Sequence, residues 1–342
     1  MEFNPNGVGQ PNGNYFALPY SPEEANVVLL SVPWDVTTSY APGTADGPQA
    51  ILNASPQLDL HDPFVKDAWK VGIGTLPIDE GWRDKSAELR ELAEDVIERL
   101  ENGEPEDSPA IVKHLKTINS ASESLNDYVY AEAKNWTEKG KIVGVVGGEH
   151  SVPFGLIKAL SEKHESLGIL HIDAHCDLRV AYEGFNYSHA SIMYNVLDKI
   201  PAVDRLVQVA VRDFSEEEIS LAMSHPKIVP FTDFELCEEK FQGMSWHDQC
   251  EQIIEQLPKK VYISFDIDGL TPDCCPNTGT PVPGGLTFQE AIYLLKLIAE
   301  SGRKIVGFDL VEVAPDDKGE WDANVGARML YKLCNLAYKS NQ

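Results

Sequence analysis

Positive charge is scarce in this chain. Its 342 residues hold 28 Lys and Arg against 54 Asp and Glu, a formal net charge of −26. Nucleic-acid binding draws on a basic surface that displaces counterions, so that class of partner is excluded. An acidic field would attract a cationic ligand, and it also keeps a protein soluble. Long apolar runs are missing too. No stretch approaches the roughly 20 apolar residues of a membrane span, although 43% hydrophobic residues can build a sizeable core. The polar, Asn- and Gly-rich segment Met1 to Pro19 lacks the charged-then-apolar layout of a secretory leader. A cytoplasmic chain without membrane contact is the expectation. Cysteine shows no framework spacing. The six thiols, Cys176, Cys237, Cys250, Cys274, Cys275 and Cys334, are scattered, and the adjacent Cys274-Cys275 cannot make a Cys-x-x-Cys metal site. Reduced thiols are expected.

What is present begins with Leu167 to Ile172, a short apolar run that reads as a buried parallel strand. It leads into Asp173-Ala174-His175-Cys176-Asp177. In an extended chain alternate residues share a face, so Asp173, His175 and Asp177 aim at one point and Cys176 packs on the other side. Ligands of open α/β sheets bind at such strand ends. Taken alone, the stretch also reads as a polar strand end with solvated carboxylates. The pattern then recurs. The strand 261–268 ends in Asp266-Ile267-Asp268, and the strand from Val143 closes on Gly147-Gly148-Glu149-His150. Six candidate donors result: His150, Asp173, His175, Asp177, Asp266 and Asp268. Four carboxylates so close together repel one another unless cations lie between them. The set suits two divalent ions, manganese-like rather than thiolate-seeking.

Gly147-Gly148-Glu149-His150-Ser151, Asp173-Ala174-His175-Cys176-Asp177 and Ser264-Phe265-Asp266-Ile267-Asp268 resemble the three metal signatures of the ureohydrolase superfamily. That superfamily holds arginases, agmatinases, guanidino-acid hydrolases and formiminoglutamases. The similarity runs from about Val27 to the C-terminus. Glu149 departs from it, standing where the motif has Asp. The resemblance implies a three-layer α/β/α sandwich with a mostly parallel central sheet. It implies two Mn2+ per subunit, with Ni2+ or Co2+ as alternatives. Asp173 and Asp266 would bridge the ions. His150 and Asp177 would complete one site, and His175 and Asp268 the other. Asp177 would also accept a hydrogen bond from the nucleophile. Glu312, just past the last apolar strand, would grip the guanidinium. His189 would carry the proton to the leaving amine. A small guanidino substrate and a homo-oligomer, trimer or hexamer, complete the expectation.

From the N-terminus, residues 1–25 read as a loose arm, with turn signals at Asn6-Gly7 and Asn12-Gly13. Residues 26–342 read as a single catalytic domain. Strands are expected at 25–32, 70–73, 206–211, 228–231, 261–268 and 304–310, besides the two upstream metal strands. Helices are expected at 85–101, 118–138, 152–163, 246–256 and 287–301, the last with Thr287 as N-cap and Glu290 three residues on. Strand and helix alternate, as in a parallel α/β sandwich. Three long loops, 33–50, 178–191 and 269–286, follow strands and are candidates for walls of a site.

Substrate choice rests on fewer residues. Arg179 follows the Asp173–Asp177 motif, as an arginine does in formiminoglutamases, and would suit a substrate carboxylate. Turned to a carboxylate such as Glu183, it would leave room for a cation. His189 and the 33–50 loop look like agmatinases. Arg212, at a strand end, would contact the substrate or shape its loop through an ion pair. The leading expectation is agmatinase-like: agmatine and water to putrescine and urea. The alternatives are a guanidino-acid hydrolase, an arginase or a formiminoglutamase. A non-catalytic metal-binding oligomer is the reading from another class.

Overall fold

The computed structural model describes residues 3–316 and 320–342. Its eight strands are β1 (Val27–Val32), β2 (Ile73–Thr75), β3 (Ile142–Gly147), β4 (Leu167–Ile172), β5 (Val203–Val209), β6 (Ile228–Phe231), β7 (Lys260–Asp266) and β8 (Lys304–Val311). They form one sheet in the order β2-β1-β3-β8-β7-β4-β5-β6. Every pairing is parallel. Buried parallel strands are apolar on both faces, and β1 and β4 are buried along their whole length. In β4, Leu167 and Ile169 feed one core while Leu170 and Ile172 feed the other. This alternation supports helices on both faces and hence a three-layer sandwich.

Helix Phe154–Lys163 lies against the longest helix, Pro109–Glu138. The crossing is so close that a Cβ on Gly155 would meet the Asn126 carbonyl oxygen at 2.5 Å. Helix Phe288–Glu300 starts with the expected capping box between Thr287 and Glu290. Other boundaries shift for local reasons. The helix expected from Lys85 spans Glu80–Glu101, because the Asp79 side chain accepts the Gly81 amide at its start. The helix expected from Ile118 begins at Pro109, a residue suited to a first turn. The strand expected at 70–73 is a 3-10 turn over Ala68–Val71, followed by β2. β5 ends at Val209, since Ala210 turns into the left-handed region at φ 75°. Helix Trp321–Ser340 was not anticipated, and it buries much of its length in the core.

The N-terminal arm needs correction as well. Met1 and Glu2 lie outside the described residues. Tyr15 to Leu18 are buried in the domain itself. The Tyr15 hydroxyl lies 2.9 Å from Ser31 Oγ and donates to the Pro48 carbonyl, and Phe16 packs on Tyr331. Two adjacent aromatics inside a polar segment were the signal for this contact.

Candidate active site

Four neighbouring strands, β3, β8, β7 and β4, end on the same edge of the sheet. His150 follows β3, Asp173 follows β4, Asp266 closes β7 and Glu312 follows β8. The sheet order alone gathers them. Extended chain does not carry the ligands the whole way, contrary to the alternation drawn from sequence. β4 stops at Ile172, and Asp177 turns back in the left-handed region at φ 54°. After Asp266 a 3-10 turn over Ile267–Gly269 brings Asp268 in, with its amide on Asp266 Oδ1 at 2.8 Å.

His150 Nδ1 lies 2.9 Å from Asp173, 3.1 Å from Asp177 and 3.1 Å from Asp266, yet it makes no hydrogen bond among the described residues. His175 Nδ1 lies 3.1 Å from Asp268 Oδ2, another buried atom without a hydrogen bond among the described residues. Ligand atoms of His150, His171, Asp173 and Asp177 form one group within metal-binding reach, and those of Asp173, His175 and Asp268 form a second. Two groups that share Asp173 fit a pair of ions with a bridging carboxylate. The orphaned lone pairs, one in each group, point the same way. Oxygen and imidazole donors suit divalent ions that do not depend on thiolate ligands.

Electrostatics describe the same need for cations. Burial, Asp268 and Asp173 push the Asp266 carboxyl well above the usual range. Burial and Asp173 raise Asp177 to about 6. Burial would raise Asp173 too, but His171, His150 and His175 hold it well below. Burial and then Glu149 push Glu312 up.

The ligands are themselves held. The His150 Nε2–H donates to Ser264 Oγ at 2.9 Å, and Ser264 in turn donates to the buried Asp309. That leaves Nδ1 as the lone-pair nitrogen. His171 was missed from sequence. It lies 2.7 Å from Asp173 Oδ2 through Nε2, and Gln208 donates to its Nδ1 at 3.0 Å. Its place two residues before Asp173, on the same face of β4, was the available signal.

His175, Asp177 and His189 line the inner part of a cavity of about 180 Å³. Burial, followed by His175 and His150, lowers His189 to about 3, so its ring is neutral. Glu312 is not among the cavity's lining residues. Its Oε1 accepts the His150 amide at 2.7 Å, and a Cβ on Gly279 would come within 3.2 Å of its Oε2. Like Asp177 it is left-handed, at φ 62°. Glu149 is not a ligand. Its buried carboxylate accepts Thr37 N, Thr37 Oγ1 and Ser151 Oγ, while burial pushes it up to about 7 against those donors.

At the rim the two arginines part. Arg179 lines the cavity, with its guanidinium 4.6 Å from the Tyr182 ring centre and its Nε 3.3 Å from Glu218. Its carboxylate partner is Glu218 rather than the Glu183 suggested by proximity in sequence. Of the two roles expected of Arg212, its hydrogen bonds match the shaping of the loop, through carbonyls rather than an ion pair. Its nitrogens donate to the carbonyls of Ala210, Asp268, Leu270, Val282 and Pro283. It clamps the 270–286 loop onto the strand ends with most of its donors. Asp213 also lines the rim, exposed, and its side chain has no ion pair or hydrogen bond among the described residues.

Known proteins are similar to this chain in sequence and in fold. An N(1)-aminopropylagmatine ureohydrolase of Thermus thermophilus is 32% identical over 316 residues, 92% of this chain and 91% of the relative. An agmatinase of Bacillus subtilis is 30% identical over 320 residues, covering 91% of each chain. The solved agmatine ureohydrolase of Thermoplasma volcanium superposes with a TM-score of 0.72 over 96% of this chain and 95% of its own, at 24% identity, a likeness of fold. The sequence profile of the Arginase family matches residues 25–335. With an eight-stranded parallel sheet that carries a doubled His/Asp cluster at one edge, this chain is a ureohydrolase of the arginase family, a hydrolase of C–N bonds in linear amidines.

Proposed function

We propose that the protein is an agmatinase-like hydrolase, converting agmatine and water to putrescine and urea with two manganese ions per subunit. The observation that carries this substrate class is the state of the rim. Arg179 is paired to Glu218 and lies over Tyr182, while Asp213, without an ion pair among the described residues, stands beside the same cavity. The remaining charge at the mouth is negative and suits a cationic tail. The relatives named for agmatine and aminopropylagmatine act on guanidines of that kind, which supports the reading.

Divalent ions, when bound, lower the pKa of water toward neutrality and offset the repulsion among the carboxylates. His150, Asp173, His175, Asp177, Asp266 and Asp268 would hold them. The rest falls to the protein. Glu312 offers Oε2 to the planar guanidinium while its Oε1 stays on the His150 amide, and this orients the carbon for attack. Attack gives a tetrahedral carbon, and the bond to the tail nitrogen must then break. That nitrogen leaves as an amine only once protonated. His189 is neutral at rest, so it takes up a proton released from the attacking water and hands it to the amine.

A guanidino acid, arginine or formiminoglutamate is the second reading. The terminal nitrogens of Arg179 favour it, since they carry no hydrogen bond to described residues and could meet a carboxylate. The test is urea release by the manganese-loaded protein from agmatine, arginine, 4-guanidinobutyrate and 3-guanidinopropionate, with formamide release from formiminoglutamate in parallel. Agmatine turnover is expected. Turnover of the acids alone would overturn the cationic reading, and bound metal without any turnover would leave the non-catalytic one.

A further inference from the structure

Thr37 stands in the middle of the loop that follows β1. Both its amide and its hydroxyl donate to Glu149, at 2.7 and 2.9 Å. The same hydroxyl oxygen accepts the backbone N–H of His189 at 2.9 Å. Thr37 and Glu149 are fully buried, and His189 nearly so. A hydroxyl has one proton to give. Because Glu149 takes that proton, a lone pair of Thr37 is fixed toward His189. Glu149 accepts from Thr37 and Ser151, and the His189 N–H only donates, so the chain of bonds runs from His189 through Thr37 to Glu149.

The ring of His189 has little else to hold it. Its Nε2 is buried and has no hydrogen-bond partner among the described residues. Its position follows from its backbone. The other end of the chain is rigid. Glu149 also accepts Ser151 Oγ, and it follows Gly148, where a Cβ would strike the Trp34 carbonyl oxygen at 1.9 Å. The loop is pinned from behind as well. Ser86 bonds Asp35, and Arg90 donates to the carbonyls of Val36 and Thr38.

We propose that Thr37 is the positioning residue for His189, with Glu149 setting the direction of its hydroxyl. The proposal rests on the reading of His189 as the proton carrier. It gives the longer side chain of Glu149 a task, reaching from the β3 turn to the loop. A displacement of about 1 Å in a proton donor lowers turnover by as much as roughly 10²-fold.

The test compares wild type, Thr37→Val, Thr37→Ser, His189→Ala and the Thr37→Val/His189→Ala pair as full-length manganese-loaded proteins. Rates are measured on whichever guanidino compound wild type cleaves, and exchange of the His189 amide is followed by deuterium uptake. Thr37→Val should lower kcat about 10-fold or more, with KM and metal content unchanged and the His189 amide exchanging faster. Thr37→Ser should restore both readouts. In the His189→Ala background, Thr37→Val should cost less than about 2-fold further. Losses that multiply in the double variant, or unchanged protection of the His189 amide in Thr37→Val, overturn the proposal. Should Thr37→Val not fold, Thr37→Ala carries the same comparison. A wild type that cleaves no guanidine would sink the reading of His189, and amide exchange would still decide the Thr37 contact.

Discussion

On the floor of the site, His150, Asp173 and Asp266 stand at or just past the ends of strands β3, β4 and β7 of one parallel sheet, each exposed by 2% or less. On the rim, Arg179, Tyr182 and Asp213 sit on loops, in reach of water. The floor is positioned by the ladder of the sheet, so its geometry is as rigid as the core. The rim is positioned by side chains bonding to backbone, as Arg212 shows with its five carbonyls. Rigid backbone suits groups that must meet ions within tenths of an ångström. Loops suit groups that distinguish one tail from another.

Substitutions should separate the two regions, and the largest effect belongs to the floor. Asp266→Ala or His175→Ala should lower activity by about 10³-fold or more, together with metal content measured by plasma emission. Full activity in either would dissolve the metal assignment. His189→Ala, at the boundary, should lower kcat by about 10²- to 10⁴-fold while the metal stays bound. If the metal leaves with the histidine, His189 belongs to the floor instead. Arg212→Ala should cost roughly 2–4 kcal/mol of stability, read from the denaturation midpoint, because it strands the buried carbonyls of Ala210, Asp268 and Leu270. A stable Arg212→Ala protein with a raised KM would point to the substrate role. Arg179→Gln should change kcat little and lower KM for agmatine by roughly two- to fivefold, since it removes a like charge near the tail. A large rise in KM would mean that the guanidinium itself binds the substrate.

The smallest effect concerns acidity at the rim. Glu183 is half-buried, and burial followed by Glu101 pushes its carboxyl from 4.5 to about 7, against Arg90 and Arg179. The unfolded chain therefore loses this proton first. The contribution is fully present below pH 4.5 and is lost as pH rises through about 7. After allowance for solvent screening it amounts to about 1 kcal/mol. Glu183→Gln should be more stable than wild type at pH 8 and equal to it at pH 4. Parallel stability curves for the two proteins would remove the effect.

Much of the floor was legible because apolar strands ending in Asp and His leave a repeated local pattern. Alternation of strands and helices likewise announced a parallel sheet. His171 escaped because it hides inside the apolar run that defines β4. The rim was harder to read for a physical reason. Glu218, the partner of Arg179, lies far along the chain, and the partners of Arg212 are carbonyl oxygens, which every residue possesses. Left-handed turns at non-glycine residues, such as Ala210 and Asp177, leave no composition signal either. They explain why the expected strand 206–211 ended early and why the extended path to Asp177 failed.

The left-handed backbone at Asp177 has one more consequence. At φ 54° the position tolerates few letters of the amino-acid alphabet, chiefly Gly, Asn and Asp. Of these only Asp carries a charge, so conformation and coordination select the same residue. At Glu312 they disagree, for φ 62° disfavours a long side chain while the guanidinium reading requires one. Drift by mutation should therefore treat the two carboxylates differently. Asp177 can slide to Asn with its backbone at ease, whereas any escape at Glu312 that relaxes the chain removes the carboxylate as well.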